Sequence, residues 1–429
     1  MLPSVSPHKA FLLFLMFFPW QTQVFAAPPT LQIPKAAQTG PDFNAQTATR
    51  AYLAILPPDK KARSDAYFEG GYWLSLWDFV CAAGISILLL GTRLSLRMRV
   101  SAERLTKRKP LQTWLYWGQY AVALFVLSLP LTIYEGYFRE HQYGLSNQTL
   151  RGWFADELKG LGLTVVLGGL AIVALFAIVH SLPRTWHLWG AGAVIIFLMI
   201  GMLIGPVFIA PLFNQYTVLT NARLRDPILR LARQNGIPAT NVYEVDASRQ
   251  SKRVSANVSG FLGTERITLN DNLLNRCSPE AAFAVVGHEM GHYVLNHVYK
   301  GLTFFAMVVV VVFAALRWAL LWSLARWGDR WSITGIGDPA VLPLAVLILS
   351  IFSFLLTPVM NTLIRTQEYE ADIFGLNTAR QPDGFAEAAL LLSEYRKLDP
   401  GALEEILFFD HPSGRTRIYS AMRWKAENQ

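Results

Sequence analysis

Residues 278–300 of the chain read SPEAAFAVVGHEMGHYVLNHVYK, and this stretch predicts one helix with an H-E-x-x-H motif at its centre. Residues four apart lie on one helix face, so His288 and His292 can bind the same metal ion. Glu289 then lies beside that ion and can take a proton from a water molecule bound to it. The motif therefore predicts metal-assisted hydrolysis of an amide bond.

The flanks of the motif indicate that its helix is buried. Ser278 suits the N-cap and Pro279 the first turn, where a missing N–H costs nothing. Residues 284–287 (Ala-Val-Val-Gly) are small or apolar. Three fixed residues also recur by chance in soluble helices, so the motif alone leaves a chance match open. Two histidines and a glutamate on a buried helix are nevertheless costly unless they are paired or bind a metal.

The composition is typical of a membrane protein. Of the 429 residues, 52% are apolar and only 16% are charged, which excludes an ordinary soluble protein. Six apolar spans are each long enough to form a membrane helix. They cover residues 72–90, 115–134, 161–180, 188–209, 302–324 and 340–359.

The formal net charge of +8 indicates membrane topology rather than a nucleic-acid partner. Residues 93–109 carry seven Lys or Arg and a single acid, Glu103, whereas other short loops are nearly neutral. The positive-inside rule places this loop in the cytoplasm. Counting spans from there puts the motif helix on the outer, periplasmic side of a bacterial inner membrane.

A catalytic zinc site needs a third protein ligand and an open position. The best candidate lies in residues 367–372 (Gln-Glu-Tyr-Glu-Ala-Asp), on an apparent helix that follows the last span. Glu368 and Asp372 share a helix face, whereas Glu370 points elsewhere. Glu368 could bind zinc while Asp372 orients a ligand histidine. The alternative, an acidic and solvated start of a helix, is the commoner feature.

These features give the expected fold class and segments. We expect an all-α polytopic membrane protein with six or seven membrane helices and a small α+β zinc-metalloprotease domain, because short strand patterns occur near the motif. The N-terminus is either a secretory signal peptide or a first membrane helix, and the sequence leaves both alternatives open. The segments are 1–27 (signal peptide or first membrane helix), 28–71 (extramembrane linker with a short helix near 45–56), 72–209 (N-terminal membrane helices), 210–300 (catalytic insert with the motif helix), 301–360 (last two membrane helices) and 361–429 (C-terminal helical segment with the third ligand).

Together, His-Glu-Met-Gly-His at 288–292 and Glu-Tyr-Glu-Ala-Asp at 368–372 resemble the Ste24-type CAAX prenyl proteases, membrane zinc metallopeptidases of family M48. The resemblance covers most of the chain from about residue 72 and implies a barrel-like wall of helices around an internal chamber. It also implies that the catalytic side faces the cytosol, whereas the charges of the loops predict that it faces outwards. Further matching stretches are 143–150 (YGLSNQTL), 210–213 (APLF), 266–269 (RITL) and His411-Pro412 with Arg417.

The resemblance implies one Zn²⁺ per chain, bound by His288, His292 and Glu368. It implies Glu289 as the general base, which removes a proton from the activated water and passes it to the leaving amine.

Three further residues take roles from the resemblance. Asp372 orients a metal ligand without binding the metal itself. Arg417 orders the segment around His411. His411 either polarises the scissile carbonyl or holds the substrate. His297 also matches a family histidine, but on a continuous helix it lies five positions past His292 and off the ligand face, which favours a structural or surface histidine.

The strand before the motif helix departs from the family pattern. Where the family carries a His-Ser-Asn-Ala-Tyr-like run, residues 253–257 read Arg-Val-Ser-Ala-Asn. Substrate chains pair with such an edge through backbone hydrogen bonds, and side chains add selectivity. We therefore list Ser255, Ala256 and Asn257 as candidate substrate-binding residues, and we rely more on hydrolysis than on a prenylated substrate.

The predicted function is a membrane-embedded zinc metalloendopeptidase, similar to proteases that trim C-terminal CAAX tails. Its expected partners are membrane lipids and a peptide or protein substrate, lipidated or not. One alternative is a quality-control protease for membrane or exported proteins. Another is a non-enzymatic channel or scaffold with a structural metal. Such sites usually have four ligands, often Cys, and neither Cys81 nor Cys277 has metal-ligand spacing.

Overall fold

The computed structural model describes residues 29–260 and 265–428. The segment predicted as a signal peptide or first membrane helix, residues 1–27, lies outside the described residues. The helices are α1 (Ala45–Leu53), α2 (Pro58–Gly91), α3 (Leu94–Leu105), α4 (Lys109–Gln142), α5 (Leu150–Ser181), α6 (Trp186–Leu212), α7 (Ala222–Gln234), α8 (Asp271–Arg276), α9 (Pro279–Val294), α10 (His297–Trp331), α11 (Pro339–Ala379), α12 (Pro382–Leu392), α13 (Ala402–Phe408) and α14 (Gly414–Asn428). The strands are β1 (Tyr216–Val218), β2 (Val242–Val245), β3 (Ala256–Ser259) and β4 (Arg266–Asn270).

Six helices in the described part of the chain are long and apolar enough to cross a membrane, namely α2, α4, α5, α6, α10 and α11. They contain between 27 and 41 residues and coincide with the six predicted spans. The prediction of an all-α polytopic membrane protein is therefore confirmed. The helices extend past the apolar spans because helical hydrogen bonding continues where polar side chains replace apolar ones.

α2 begins inside the segment predicted as a linker. Pro57 precedes the helix and Pro58 occupies its first turn, where the missing N–H has no partner to lose. Residues 59–66 (Asp-Lys-Lys-Ala-Arg-Ser-Asp-Ala) are mostly polar, and this hides the helix from a search for apolar periodicity. Residues 58–71 of the predicted linker are therefore helical and continuous with the first long helix.

A four-stranded sheet accompanies the motif helix. Its strand order is β1-β2-β4-β3, with β2 and β4 parallel and the other pairs antiparallel. In the register of the last pair, Ala256 lies opposite Leu269 and Asn257 opposite Thr268. Among the described residues β3 pairs only with β4, so its other edge is free to accept another strand.

Small residues bring the motif helix α9 against the last membrane helix α11. A Cβ atom added to Gly375 would lie 2.8 Å from the backbone nitrogen of His288. A Cβ atom added to Gly287 would lie 2.9 Å from Ala379, and one added to Gly291 would lie 3.0 Å from the backbone of Ala371. Since only glycine allows backbones to approach so closely, these positions fix how α11 meets the motif.

The start and the end of the described chain pack against each other. α1 packs against α14, and Lys425 of α14 is buried. Its Nζ donates to the carbonyl of Ala37 at 2.7 Å and to Asp383 Oδ2 at 2.6 Å. The hydroxyl of Tyr52 donates to Asp383 Oδ1 at 2.7 Å. This buried ion pair, with its tyrosine, fastens residues 35–53 to the C-terminal helix.

The predicted catalytic insert, residues 210–300, is called the catalytic domain below and lies at one end of the helix bundle. Arg253 from the domain forms an ion pair of 2.8 Å with Glu140, near the end of α4. At the opposite end, Arg99 of α3 pairs with Asp338, which precedes α11. Lys109 and Glu140 lie at opposite ends of α4, so the basic loop at 93–109 and the domain lie at opposite ends of the bundle.

Candidate active site

Three predicted metal ligands converge where α9 crosses α11. Glu368 Oε2 lies 3.2 Å from His288 Nε2, and Glu368 Oε1 lies 3.4 Å from His292 Nε2. The two histidine Nε2 atoms are 3.2 Å apart. One donor atom from each of the three side chains lies within 4.8 Å of the others. Two imidazoles and one carboxylate in this arrangement fit a catalytic zinc site, which keeps a fourth position open.

The chemistry of these donors also fits a metal ion. Glu368 Oε2 is buried, and no donor N–H is aligned with it, although imidazole nitrogens lie nearby. In the metal-free chain burial opposes the charge of His288, but Asp372 and Glu368 raise its pKa to about 9. Burial and the neighbouring His288 lower the pKa of His292 to about 4. A divalent cation would bind the deprotonated forms of all three side chains and so remove this difference in protonation between the two histidines.

Glu289 lines a cavity of about 260 Å³ together with the three ligands. Burial raises the pKa of its carboxyl to about 7 in the metal-free chain, with His288 acting in the opposite direction. A carboxylate that gains and loses a proton near neutral pH is suited to general acid–base chemistry. Its position beside the ligands agrees with the role predicted from the motif.

His288 is supported by a buried ion pair. Asp372 Oδ1 lies 2.8 Å from His288 Nδ1. The guanidinium of Arg417 donates Nε–H to Asp372 Oδ2 at 2.9 Å and Nη2–H to Oδ1 at 2.6 Å. Asp372 is 1% exposed, and a charge so buried needs such a bidentate partner. The sequence predicted that Asp372 supports a ligand and that Arg417 orders the segment around His411, and in the structure Arg417 pairs with Asp372.

His292 is supported by a residue that the sequence reading set aside. The motif helix ends at Val294, because Asn296 adopts φ 58° and starts a new helix at His297. The predicted continuous helix to Lys300 is therefore wrong. His297 folds back so that its Nδ1 lies 3.0 Å from His292 Nδ1, and it is 3% exposed, which excludes a surface histidine. An asparagine tolerates this backbone conformation, which is the signal that could have revealed the break.

The outer contact of His297 is a carboxylate on α11. Glu370 Oε2 lies 3.1 Å from His297 Nε2 and accepts a hydrogen bond of 2.9 Å from Lys300. If His292 binds a metal through Nε2, its Nδ1–H donates to His297 Nδ1, and His297 Nε2–H donates to Glu370. The chain from His292 to Glu370 therefore fixes the orientation of the second histidine ligand.

His411 joins the site from the loop before α14. Its Nε2 lies 3.2 Å from Glu368 Oε2, and its Nδ1 lies 2.8 Å from Asp410 Oδ1. Arg396 Nη2 lies 3.3 Å from the same Nε2 atom. Asp410 could have been noticed as the neighbour of the His-Pro pair. Nothing in the sequence pattern marked Arg396.

The predicted substrate-binding residues separate into two groups. Ser255 and Ala256 line the same cavity as Glu289, whereas Asn257 is not among its lining residues. The backbone N–H of Ser255 donates to Asn270 Oδ1 at 3.0 Å, which fixes the start of β3. Because β3 is an edge strand beside the cavity, a peptide that pairs with this strand can also reach His288, His292 and Glu368.

Family models match both halves of the chain. Residues 218–425 match peptidase family M48, and residues 44–215 match the model described as CAAX prenyl protease N-terminal, five membrane helices. The M48 match contains the catalytic domain together with α10 and α11, and the N-terminal match contains the first four long helices.

Curated relatives agree with these models. The chain is 31% identical over 306 residues to the uncharacterized metalloprotease YhfN of Bacillus subtilis, which covers 70% of this chain and 72% of the relative. It is 30% identical over 265 residues to a CAAX prenyl protease 1 homolog of Oryza sativa, covering 60% of each chain. It is 29% identical over 267 residues to CAAX prenyl protease 1 of Saccharomyces cerevisiae, covering 58% of each. The chain thus spans less than two thirds of these last two proteins.

A solved structure shares the fold. The crystal structure of S. mikatae Ste24p matches with a TM-score of 0.73 over 87% of this chain and 93% of the other, at 22% sequence identity. This match confirms the predicted wall of helices around a chamber.

Proposed function

The chain belongs to peptidase family M48 and is a membrane metallopeptidase, and from this premise we propose that it hydrolyses peptide bonds with one Zn²⁺ held by His288, His292 and Glu368. The observation that carries the proposal is the convergence of three donor atoms within 4.8 Å in a cavity that Glu289 also lines. A bound zinc ion would supply a water molecule with a pKa near neutrality and a positive charge for the carbonyl oxygen.

The protein's own residues divide the remaining work. Glu289 takes the proton of the attacking water and gives it to the leaving amine. Asp372 fixes His288, and His297 fixes His292, so that both Nε2 atoms face the same point. Asp410 lies 2.8 Å from His411 Nδ1, and the protonated ring of His411 would donate its Nε2–H to the carbonyl oxygen of a bound peptide.

Substrate binding starts at the free edge of β3. Backbone groups of residues 255–257 can pair with an extended peptide, and this pairing needs no particular side chain. The side chains of Ser255 and Ala256 lie closest to the cavity, so they shape the subsite next to the scissile bond. Asn257 does not line the cavity, so its backbone is the group that contributes.

The charges of the loops favour a catalytic domain on the outer face of a bacterial inner membrane. The loop at 93–109 lies at the opposite end of the bundle from the domain, as do Arg184, Arg326 and Arg330 at the ends of other long helices. The positive-inside rule retains such loops in the cytoplasm. A protease facing outwards meets exported and membrane proteins, which favours quality control as a second candidate function beside the trimming of C-terminal tails, lipidated or not.

Glu289→Gln tests the enzymatic proposal. The variant should keep its zinc, because the three ligands are unchanged, and should lose peptide hydrolysis by at least about 100-fold, the effect of losing a general base. Zinc content by metal analysis and cleavage of an unfolded protein by the purified full chain are the two measurements. Glu280→Gln, on the same helix but outside the cavity, is the matched control. Unchanged hydrolysis by Glu289→Gln would remove this residue from the mechanism.

Thiol labelling tests the orientation. Cys277 is unsuitable because it is 2% exposed and burial raises its pKa to about 12. We therefore suggest Thr220→Cys on the catalytic domain and Lys107→Cys on the basic loop, both exposed and both in a Cys81→Ala background. In intact cells an impermeant reagent should label Thr220→Cys, and should label Lys107→Cys only after lysis. The reverse pattern would place the domain in the cytoplasm.

A further inference from the structure

Three buried nitrogen atoms on α6 and α10 have no hydrogen-bond partner among the described residues. They are Trp186 Nε1, His187 Nδ1 and Arg317 Nε. The indole and guanidinium nitrogens carry hydrogen and can only donate, whereas the imidazole nitrogen donates in one of its two tautomers. Buried polar groups without partners are rare in native proteins, so each of the three needs a partner from outside the protein.

The packing of α6 against α10 brings these three side chains together. A Cβ atom added to Gly190 of α6 would lie 3.1 Å from a ring carbon of Phe313 of α10. The ring centroids of Phe313 and Trp186 are 6.1 Å apart. Arg317 lies one helical turn after Phe313 and extends the same face of α10 towards the start of α6, where its charge acts on His187. Trp186, His187 and Arg317 are called the Arg317 cluster below.

The Arg317 cluster lies at the end of the membrane helices opposite the catalytic domain. Trp186 and His187 begin α6, directly before its apolar span at 188–209. Arg317 lies 20 residues after His297, the start of α10, which is about 30 Å along a helix and about the thickness of the hydrocarbon core. Tryptophan is enriched at the level of the lipid headgroups, so this position is the one expected for a membrane interface.

Arg317 has no counter-ion from the protein. In the described part of the chain, no carboxylate oxygen lies within 4.0 Å of its guanidinium nitrogens. Arg317 is half-buried, and its neighbour Trp318 is 68% exposed on the outer surface of α10. Because an unpaired charge beside the hydrocarbon core is costly, an anion at the membrane surface is the partner that would stabilise this guanidinium.

Three more arginines lie at this end of α6 and α10. Arg184 precedes α6, Arg326 and Arg330 are near the end of α10, and all three are exposed. Within residues 29–260 and 265–428 none of them forms an ion pair. The acids nearby in the sequence are Asp329, which is exposed, and Asp338, which is already paired. The excess of positive charge favours a ligand with a net negative charge over a zwitterionic one.

We propose that the Arg317 cluster binds the phosphate group of an anionic phospholipid. The phosphate oxygens accept hydrogen bonds from Arg317 Nε–H and Trp186 Nε1–H, and from His187 Nδ1 when that nitrogen carries the proton. The acyl chains lie along the apolar surface of α6, where Ile196 is 60% exposed and Met202 is 53% exposed. Lipid binding at this end of the bundle is independent of the proposed peptide hydrolysis, which takes place at the other end.

Ligand titrations of the purified full chain in detergent test the proposal. Native mass spectrometry measures the binding of phosphatidylglycerol, of phosphatidylcholine with the same acyl chains, and of glycerol 3-phosphate. The first phosphatidylglycerol should bind at least about 5-fold more tightly than phosphatidylcholine, as expected for one net charge beside a basic residue. Equal binding of the two lipids overturns the anionic assignment. Displacement of the lipid by an equal concentration of glycerol 3-phosphate would show that the site takes a free phosphate instead.

Variants distinguish the Arg317 cluster from general surface charge. Arg317→Gln should weaken the first phosphatidylglycerol by roughly 10- to 100-fold, the effect of losing a hydrogen bond between charged groups. Trp186→Phe, which keeps the net charge and most of the ring, should weaken it by roughly 5-fold. Arg97→Gln removes an equal charge from an exposed position on α3 and should change binding by less than about 2-fold. Equal losses in Arg317→Gln and Arg97→Gln would mean that the lipid responds to surface charge alone, which overturns the proposal.

A measurement on the unmodified protein decides the case if the variants fail to fold. Phosphatidylglycerol with a photoreactive group on its headgroup should label residues 184–189 and 313–322, and excess unlabelled phosphatidylglycerol should prevent this. Labelling confined to the basic loop at 93–109, or no bound phosphatidylglycerol at all, rejects the site. Either result leaves the proposed hydrolysis unaffected, since cleavage is measured separately.

Discussion

The two histidines of the motif occupy the same helix face, yet the structure supports them in opposite ways. His288 is 6% exposed and contacts Asp372, which forms a buried, bidentate ion pair with Arg417. His292 contacts His297, whose outer partner Glu370 has a side chain that is 44% exposed. The two histidines of the motif therefore have different surroundings. The more buried contact, that of Asp372 with His288, should contribute more to metal affinity than that of His297 with His292.

Electrostatics predicts the order of these contributions. Removing one partner from a buried ion pair costs about 3–5 kcal/mol, because the other charge is left without compensation. An exposed pair such as Lys300 and Glu370 contributes about 0–1 kcal/mol and is weakened by salt. The supports of His288 and His292 should therefore differ in measurable strength, and three variants can test this.

Asp372→Asn should have the largest effect. It leaves Arg417 buried without a full negative charge and removes the carboxylate that lies 2.8 Å from His288 Nδ1. We expect zinc affinity to fall by roughly 100-fold, at the upper end for such outer contacts. We also expect the metal-free protein to unfold more readily by about 3–5 kcal/mol. Zinc competition with a chelator and thermal unfolding measure the two effects. Wild-type values in both assays would show that the buried pair does not support the ligand.

His297→Phe should have an intermediate effect. The ring shape is kept, but His292 Nδ1 loses its only protein acceptor among the described residues. Zinc affinity should fall by roughly 10-fold, with little change in unfolding because no charge is left buried. The same chelator competition measures it, with Asp372→Asn as the reference. A loss as large as that of Asp372→Asn would mean that the two supports are equivalent, and the comparison would fail.

Glu370→Gln should have the smallest effect. The amide oxygen can still accept a hydrogen bond from His297, and water already screens this exposed position. Zinc affinity should change by less than about 3-fold, within the 0–1 kcal/mol of an exposed ion pair, and the change should shrink further at high salt. Chelator competition at two salt concentrations measures this. A large, salt-independent loss would show that Glu370 acts as if it were buried.

Much of this site could be predicted from the sequence because its parts are local. Helix periodicity places His288 and His292 together within one helix, and the same spacing pairs Glu368 with Asp372 on another. Apolar length alone identifies the six long helices. Short strand patterns near the motif predict a small mixed domain, and the structure has a four-stranded sheet there.

What the sequence could not supply depends on contacts between distant segments. His297 was set aside because a continuous helix was assumed, and one residue in a left-handed conformation at Asn296 reversed that conclusion. Arg396 lies on a turn with no distinctive neighbours, so only its position beside His411 reveals a role. Glycines at 287 and 375 could indicate close packing, but they could not indicate with which helix.

The tie between Lys425, Asp383 and the N-terminal segment has a consequence for the biosynthesis of the protein. Arg417 and Lys425 leave the ribosome after the residues that can hold the metal. A chain under synthesis therefore has its membrane helices before the ion pair of Asp372 can form, and residues 35–53 stay undocked until α14 folds. The native contacts of Asp372 with Arg417 and of residues 35–53 with Lys425 can therefore form only late in synthesis, after all six long helices have been made.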